Sequence, residues 1–133
     1  ALDLEAGGTG WVAPDDPILD VTGDADVPWV AVLPSLDPTA MGWKRRDWYL
    51  SGPTRAEVFD RWGNAGPTIW AGGRIVGGWA QRPDGELATE LLEHVPAAHR
   101  DLLDTELDRI ARAVGTARFS IRFPSPSHRR LTA

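Results

Sequence analysis

The apolar positions fall into short runs separated by glycine and proline, the pattern of strands joined by tight turns. Trp29-Val30-Ala31-Val32-Leu33, closed by Pro34, reads as a buried strand. Leu36-Asp37-Pro38-Thr39 is turn chemistry, with Asp37 placed to cap a short helical turn that has Pro38 in its first position. In the centre, Pro67–Ala71 and Arg74–Arg82 flank Gly72-Gly73, the signature of a two-residue hairpin. That register sets Trp70 opposite Ile75 and Thr68 opposite Gly77. Period-two alternation then predicts Trp70, Ile75 and Trp79 on one face. Pro83-Asp84-Gly85 makes a second turn into Glu86–Leu92, whose Leu87 and Leu91 join the face of Trp79. Leu103, Leu107, Ile110 and Val114 recur at helical spacing, which predicts one long helix over 97–114, stopped by Gly115. On it Asp108 and Arg112 form an i,i+4 pair in the favourable order. Phe119, Ile121 and Phe123 alternate with polar residues and read as a half-buried final strand, followed by a Pro-Ser-rich tail. The sum is an α+β, mainly β domain: a small antiparallel β-barrel of about six strands with one packing helix.

Composition divides the chain. Residues 1–28 carry Asp3, Glu5, Asp15, Asp16, Asp20, Asp24 and Asp26 and no Lys or Arg, so they read as an acidic connector or edge-strand lead-in to a domain over 29–133. The start at Ala1, with no Met and no signal-peptide pattern, reads as a boundary within a longer chain. No apolar stretch is long enough to span a membrane. The absence of cysteine excludes a disulfide framework, a thiol nucleophile and a Cys-based zinc site, and fits a cytoplasmic protein. The net charge of −5 counts against strong, free-standing binding to nucleic acid, which draws its affinity from neutralised phosphates. The basic residues are thirteen Arg and Lys44. Arginine suits planar recognition of phosphate and bases, although a GC-rich genome enriches it too.

Most candidate chemistry lacks its context. Gly8-Thr9-Gly10-Trp11-Val12-Ala13 matches a dinucleotide fingerprint in letters, but Pro14-Asp15-Asp16-Pro17 leaves no helix to follow it. Asp20, Asp24 and Asp26 lack the spacing of a calcium loop. His94, His99 and His128 lack metal-ligand spacing and read as surface histidines, and Asp101 and Asp104 as a solvated helix face. No nucleophile elbow or triad order is present. No catalytic residue, metal or cofactor is expected.

Three polar–aromatic clusters stand out. Gly42-Trp43-Lys44-Arg45-Arg46-Asp47-Trp48-Tyr49 places three cations between aromatic rings, which supplies charge for phosphates and rings for bases. Arg61-Trp62-Gly63-Asn64-Ala65-Gly66 is a glycine-rich loop with an amide and a guanidinium. Arg74 and Gln81-Arg82 mark the two ends of a hairpin strand that could enter a groove. The candidate contacts are Trp43, Lys44, Arg45, Arg46, Arg61, Asn64, Arg74, Gln81 and Arg82. The same residues serve an equally open structural reading: tryptophans in the core, Arg stems covering it, glycines making turns.

Three blocks carry a resemblance. They are Trp29-x-x-x-Leu33-Pro34-x-Leu36-Asp37-Pro38-x-x-Met41-Gly42-Trp43-x-x-Arg46, then Asp60-Arg61-x-Gly63-Asn64-x-Gly66-Pro67-Thr68, then Gly73-Arg74-x-Val76-Gly77-Gly78-Trp79. In order and spacing they resemble the C-terminal region of bacterial winged-helix DNA-binding proteins related to the AlkZ and YcaQ DNA glycosylases, over roughly residues 9–130. The resemblance implies tandem winged helices followed by a C-terminal barrel, with this chain as the barrel. It implies double-stranded DNA and the N-terminal winged-helix domains of the same chain as partners. The glycosylases' Gln-x-Gln or Gln-x-Asp pair has no counterpart: Gln81 is the single Gln and Gln81-Arg82-Pro83 does not fit. The expectation is an accessory DNA-contacting domain without the catalytic motif. The alternative is a structural or protein-interaction domain packed against the winged helices.

Overall fold

In the computed structural model, which describes residues 1–3, 8–17 and 27–133, the Gly72-Gly73 hairpin is the organising element. Both glycines take positive φ, the conformation a two-residue hairpin requires. They join β4 (Thr68–Ala71) to β5 (Arg74–Gln81), and the turn with Gly85 joins β5 to β6 (Leu87–Leu91). β3 (Val30–Leu33) adds to the other side of β4, giving the antiparallel order β3-β4-β5-β6. Two short strands, β1 (Leu2–Asp3) and β2 (Thr9–Gly10), pair with each other. Residues 11–16, directly after Gly10, form no helix. Ile18-Leu19 and the acidic positions Asp20, Asp24 and Asp26 lie outside the described residues.

The expected barrel is not formed: the sheet is open, with four strands. A barrel buries one face of its sheet, whereas this sheet is apolar on both, and β4 is buried at every position. One face holds Tyr49, Leu50, Val58, Phe59, Trp70 and Ile75. It is closed by α1 (Pro38–Met41) and α2 (Gly52–Val58), capped by Asp37 and Ser51 and each carrying proline in its first turn. The other face holds Ile69, Val76, Trp79, Val95 and Leu103, covered by α3 (Ala97–Val114). α3 has the expected bounds and stops at Gly115, φ 56°. Its ion pair is Glu106 with Arg109 at 2.7 Å, not the expected Asp108 with Arg112.

A bulge corrects the hairpin register. Trp70 pairs with Ile75, as expected, but Thr68 pairs with Gly78 and Ile69 with Gly77. The extra residue, Val76, reverses the alternation along β5. Ile75 therefore packs with Trp70 and Tyr49, while Trp79 faces the opposite core with Ile69 and Leu87. Leu91 is left exposed at the edge.

The expected final strand over 118–123 is also absent. The Gln81 side chain takes the place of a ladder partner, donating from Nε2 to the Ala117 carbonyl and accepting from the Phe119 N–H, both at 3.1 Å. Phe119 then meets Trp79 edge to face. The tail forms α4 (Pro126–Leu131), capped by Ser125. Arg130 ties it down through Glu57 at 2.6 Å and Glu90 at 2.8 Å. His99 and His128 are half-buried rather than on the surface.

Candidate nucleic-acid interface

Two loops on the α1–α2 side of the sheet are fastened to each other. Arg46 carries its guanidinium inward, donating from Nε to the Ala40 carbonyl and from Nη2 to the Met41 carbonyl, each at 3.1 Å. The same group lies over the Phe59 ring, 5.2 Å from its centroid. Met41 Sδ accepts from the Ala65 N–H, and Phe59 bridges to Ala65. Residues 42–48 and 60–66 are thereby held side by side.

The first loop is built on a ladder of rings. Trp70 in the core stacks on Tyr49 at 5.1 Å, Tyr49 meets Trp48 at 4.7 Å, and Trp48 meets Trp43 at 5.8 Å. Tyr49 is fully buried and donates to the Ala40 carbonyl. Burial raises its pKa, with the Arg46 guanidinium opposing the shift. Trp48 and Trp43 remain 52% and 54% exposed. Leaving that much indole in water is unfavourable in the free protein and suits a surface that stacks on something. Lys44 and Arg45 are exposed and make no side-chain hydrogen bond or ion pair among the described residues. Asp47 is the one carboxylate in this loop.

The second loop is set by Asp60. Its Oδ1 accepts from the backbone N–H groups of Trp62 and Asn64, and its Oδ2 from the Asn64 side chain. Burial alone would raise the Asp60 pKa, but these hydrogen bonds prevail and hold it below the ordinary value. Gly63, at φ 87°, completes the turn. The loop presents Trp62, 67% exposed, with the Arg61 guanidinium 3.9 Å from its ring centroid. A guanidinium on an indole is a flat cationic plate, ready for a base or a phosphate.

The nine residues expected at the interface separate into two groups. Trp43, Lys44, Arg45 and Arg61 are exposed and available on the paired loops. The others are engaged within the protein. Arg46 clamps the loop, Asn64 holds Asp60, and Gln81 is buried on Ala117 and Phe119. Arg74 donates to the Trp48 carbonyl and approaches Glu93 at 3.9 Å. Arg82 binds Glu86 and the Leu131 carbonyl. Trp48 and Trp62, which lie in the two clusters but not among the nine expected contacts, join the candidate interface through their exposure. Their flanking cations and the Asp60–Asn64 turn were the available signals.

Among the described residues no group of three His, Asp or Glu side chains is placed to hold a metal, and no helix is long and apolar enough to cross a membrane. The sequence model of one protein family, described as DNA glycosylase AlkZ-like, matches residues 1–113. No curated protein and no solved structure matches the chain.

Proposed function

Because the chain belongs to the AlkZ-like DNA glycosylase family, we propose that it is a DNA-contacting, non-catalytic domain of a DNA-repair protein, gripping duplex DNA through residues 42–48 and 60–66. The observation that carries this reading is the pair of fastened loops. They set the uncompensated cations Lys44 and Arg45, and Arg61 on its ring, beside three tryptophans, each at least half exposed. Cations neutralise phosphates and release counterions, while indole rings stack on exposed bases or pack into a groove. Phosphate contacts of this kind position a protein on DNA and leave the reading of a lesion to other groups.

In this proposal, cleavage of the N-glycosidic bond belongs to winged-helix domains of the same protein. Gln81, the single Gln, is buried and holds two backbone groups, so it is not free to orient a water. The domain's contribution is binding and orientation, which lowers the barrier by holding the damaged nucleotide in place. Duplex-DNA affinity measured across a salt series, with Lys44, Arg45 and Arg61 changed to Ala, tests the reading.

One observation favours a second reading. With a net charge of −5, this chain as a whole repels DNA, and exposed tryptophans also suit docking against another protein domain. In that case the loops pack on the winged helices, and the alanine substitutions weaken domain association rather than DNA binding.

A further inference from the structure

A second surface, at the Gln81 end of β5, has the chemistry of a ligand site. A cleft of about 500 Å³ opens between the β5–β6 turn, residues 118–124 and α4. Its walls include Arg82, Arg118, Arg129, Phe119 and His128, and no carboxylate lines it. In a protein carrying net charge −5 this is a local excess of cations. Arg82 is neutralised by Glu86 outside the cleft. Arg118 donates only to backbone carbonyls, those of Pro83, Asp84 and Ala117, which orient its guanidinium without cancelling its charge. Arg129 makes no side-chain hydrogen bond or ion pair among the described residues. Phe119 adds a ring, 42% exposed and held at its edge by Trp79. The His128 Nδ1 is buried with no hydrogen-bond partner in the structure.

We propose that this cleft binds a nucleotide unit, its phosphate on Arg118 and Arg129 and its base on Phe119. Two guanidiniums without carboxylate partners beside an aromatic face match a phosphate joined to a flat ring. The unit is supplied either by a nucleic-acid strand or by a free nucleotide. The inference extends the reading above to a separate surface, and rests on it only for nucleic acid as a source. The cleft lies at the Gln81 end of β5, whereas Arg74 at its start holds Trp48 of the first loop; the 60–66 loop lies against the start of α4, with Gly66 beside Ser125 and Arg61 in one cavity with Pro126.

Titration tests the cleft directly. The protein, labelled with nitrogen-15, is titrated at low salt with a 5′-phosphorylated thymidine dinucleotide, with thymidine monophosphate and with inorganic phosphate. The expected result is saturable shifts of the amides of 118–121 and 128–132. Arg129→Glu should weaken dinucleotide binding by at least about fivefold through charge reversal. Because Arg129 has no internal partner, that variant should keep its Tm. Lys44→Ala/Arg45→Ala should leave the cleft shifts unchanged. Tighter binding of the dinucleotide assigns the ligand to a strand, and equal binding of the monophosphate to a free nucleotide. Inorganic phosphate producing the same shifts at Phe119 would overturn a nucleotide site, as would shifts that Arg129→Glu does not alter. Shifts confined to 42–66 would remove the cleft and leave the paired-loop reading standing. Cleft shifts without any effect of the loop substitutions on duplex binding would do the reverse.

Discussion

The Arg46 guanidinium lies over the Phe59 ring and donates to two carbonyls of α1, while its neighbour Arg45 stays in solvent. Adjacent cations therefore have opposite duties. Arg46→Ala should destabilise the fold by about 2 kcal/mol, since charged hydrogen bonds to half-buried carbonyls are lost. Arg45→Ala should leave the Tm unchanged and weaken DNA binding. Thermal melts with parallel binding curves check both; an unchanged Tm for Arg46→Ala would contradict the clamp.

Trp62 joins the Asp60–Asn64 turn through its backbone N–H and not through its ring. Trp62→Ala should preserve stability and lower DNA affinity about tenfold, the loss of one stacking contact of roughly 1–3 kcal/mol. Competition titration of the variant measures it. Full affinity in a folded Trp62→Ala protein would remove the ring from the interface.

The hairpin, the second turn, the 97–114 helix and the Asp37 cap were legible in the sequence because each rests on local chemistry: positive-φ glycines, a helical repeat, a carboxylate beside proline. The errors came from non-local effects. Alternation along β5 cannot reveal that Val76 is an extra residue, so Trp79 was assigned to the wrong face. The repeat Phe119-x-Ile121-x-Phe123 is that of a strand, but its hydrogen-bond partner is the Gln81 side chain, which no periodicity encodes. For the same reason the nine candidate contacts could not be sorted beforehand. Lys44-Arg45-Arg46 is one basic run in sequence, and only the location of Phe59 and the α1 carbonyls turns its last member inward.

Gln81→Leu tests that substitute pairing. Removing the amide leaves the Phe119 N–H and the Ala117 carbonyl without their partner, at a cost of about 1–3 kcal/mol. Hydrogen exchange should accelerate at Phe119, whereas binding at the paired loops should not change. Retained protection at Phe119 would refute the pairing.

Burial, with Arg129 beside it, holds the His128 imidazole below its ordinary value of 6.5. The unfolded chain therefore takes up this proton more readily than the folded protein. The stability that neutral His128 contributes is complete above about pH 6.5 and is lost as the pH falls through the lower folded value. Asp60, Glu90 and Glu106 also sit below their ordinary values, 3.8 for Asp60 and 4.5 for the two glutamates, so their contributions fade only in stronger acid. Between pH 7 and 5 the Tm should fall more steeply for the wild type than for His128→Gln. Equal slopes would show that the imidazole is not the group responsible.

Fluorescence-anisotropy binding of labelled duplex DNA across a salt series, for the wild type and for Lys44→Ala/Arg45→Ala/Arg61→Ala, tests whether the paired loops grip DNA. Wild-type binding should be weak and should fall with salt. The variant should bind less tightly, with a log–log slope shallower by roughly 0.9 for each phosphate contact removed. Identical affinity and slope in the two proteins, both folded, would contradict that grip and leave the paired loops as a protein-docking surface.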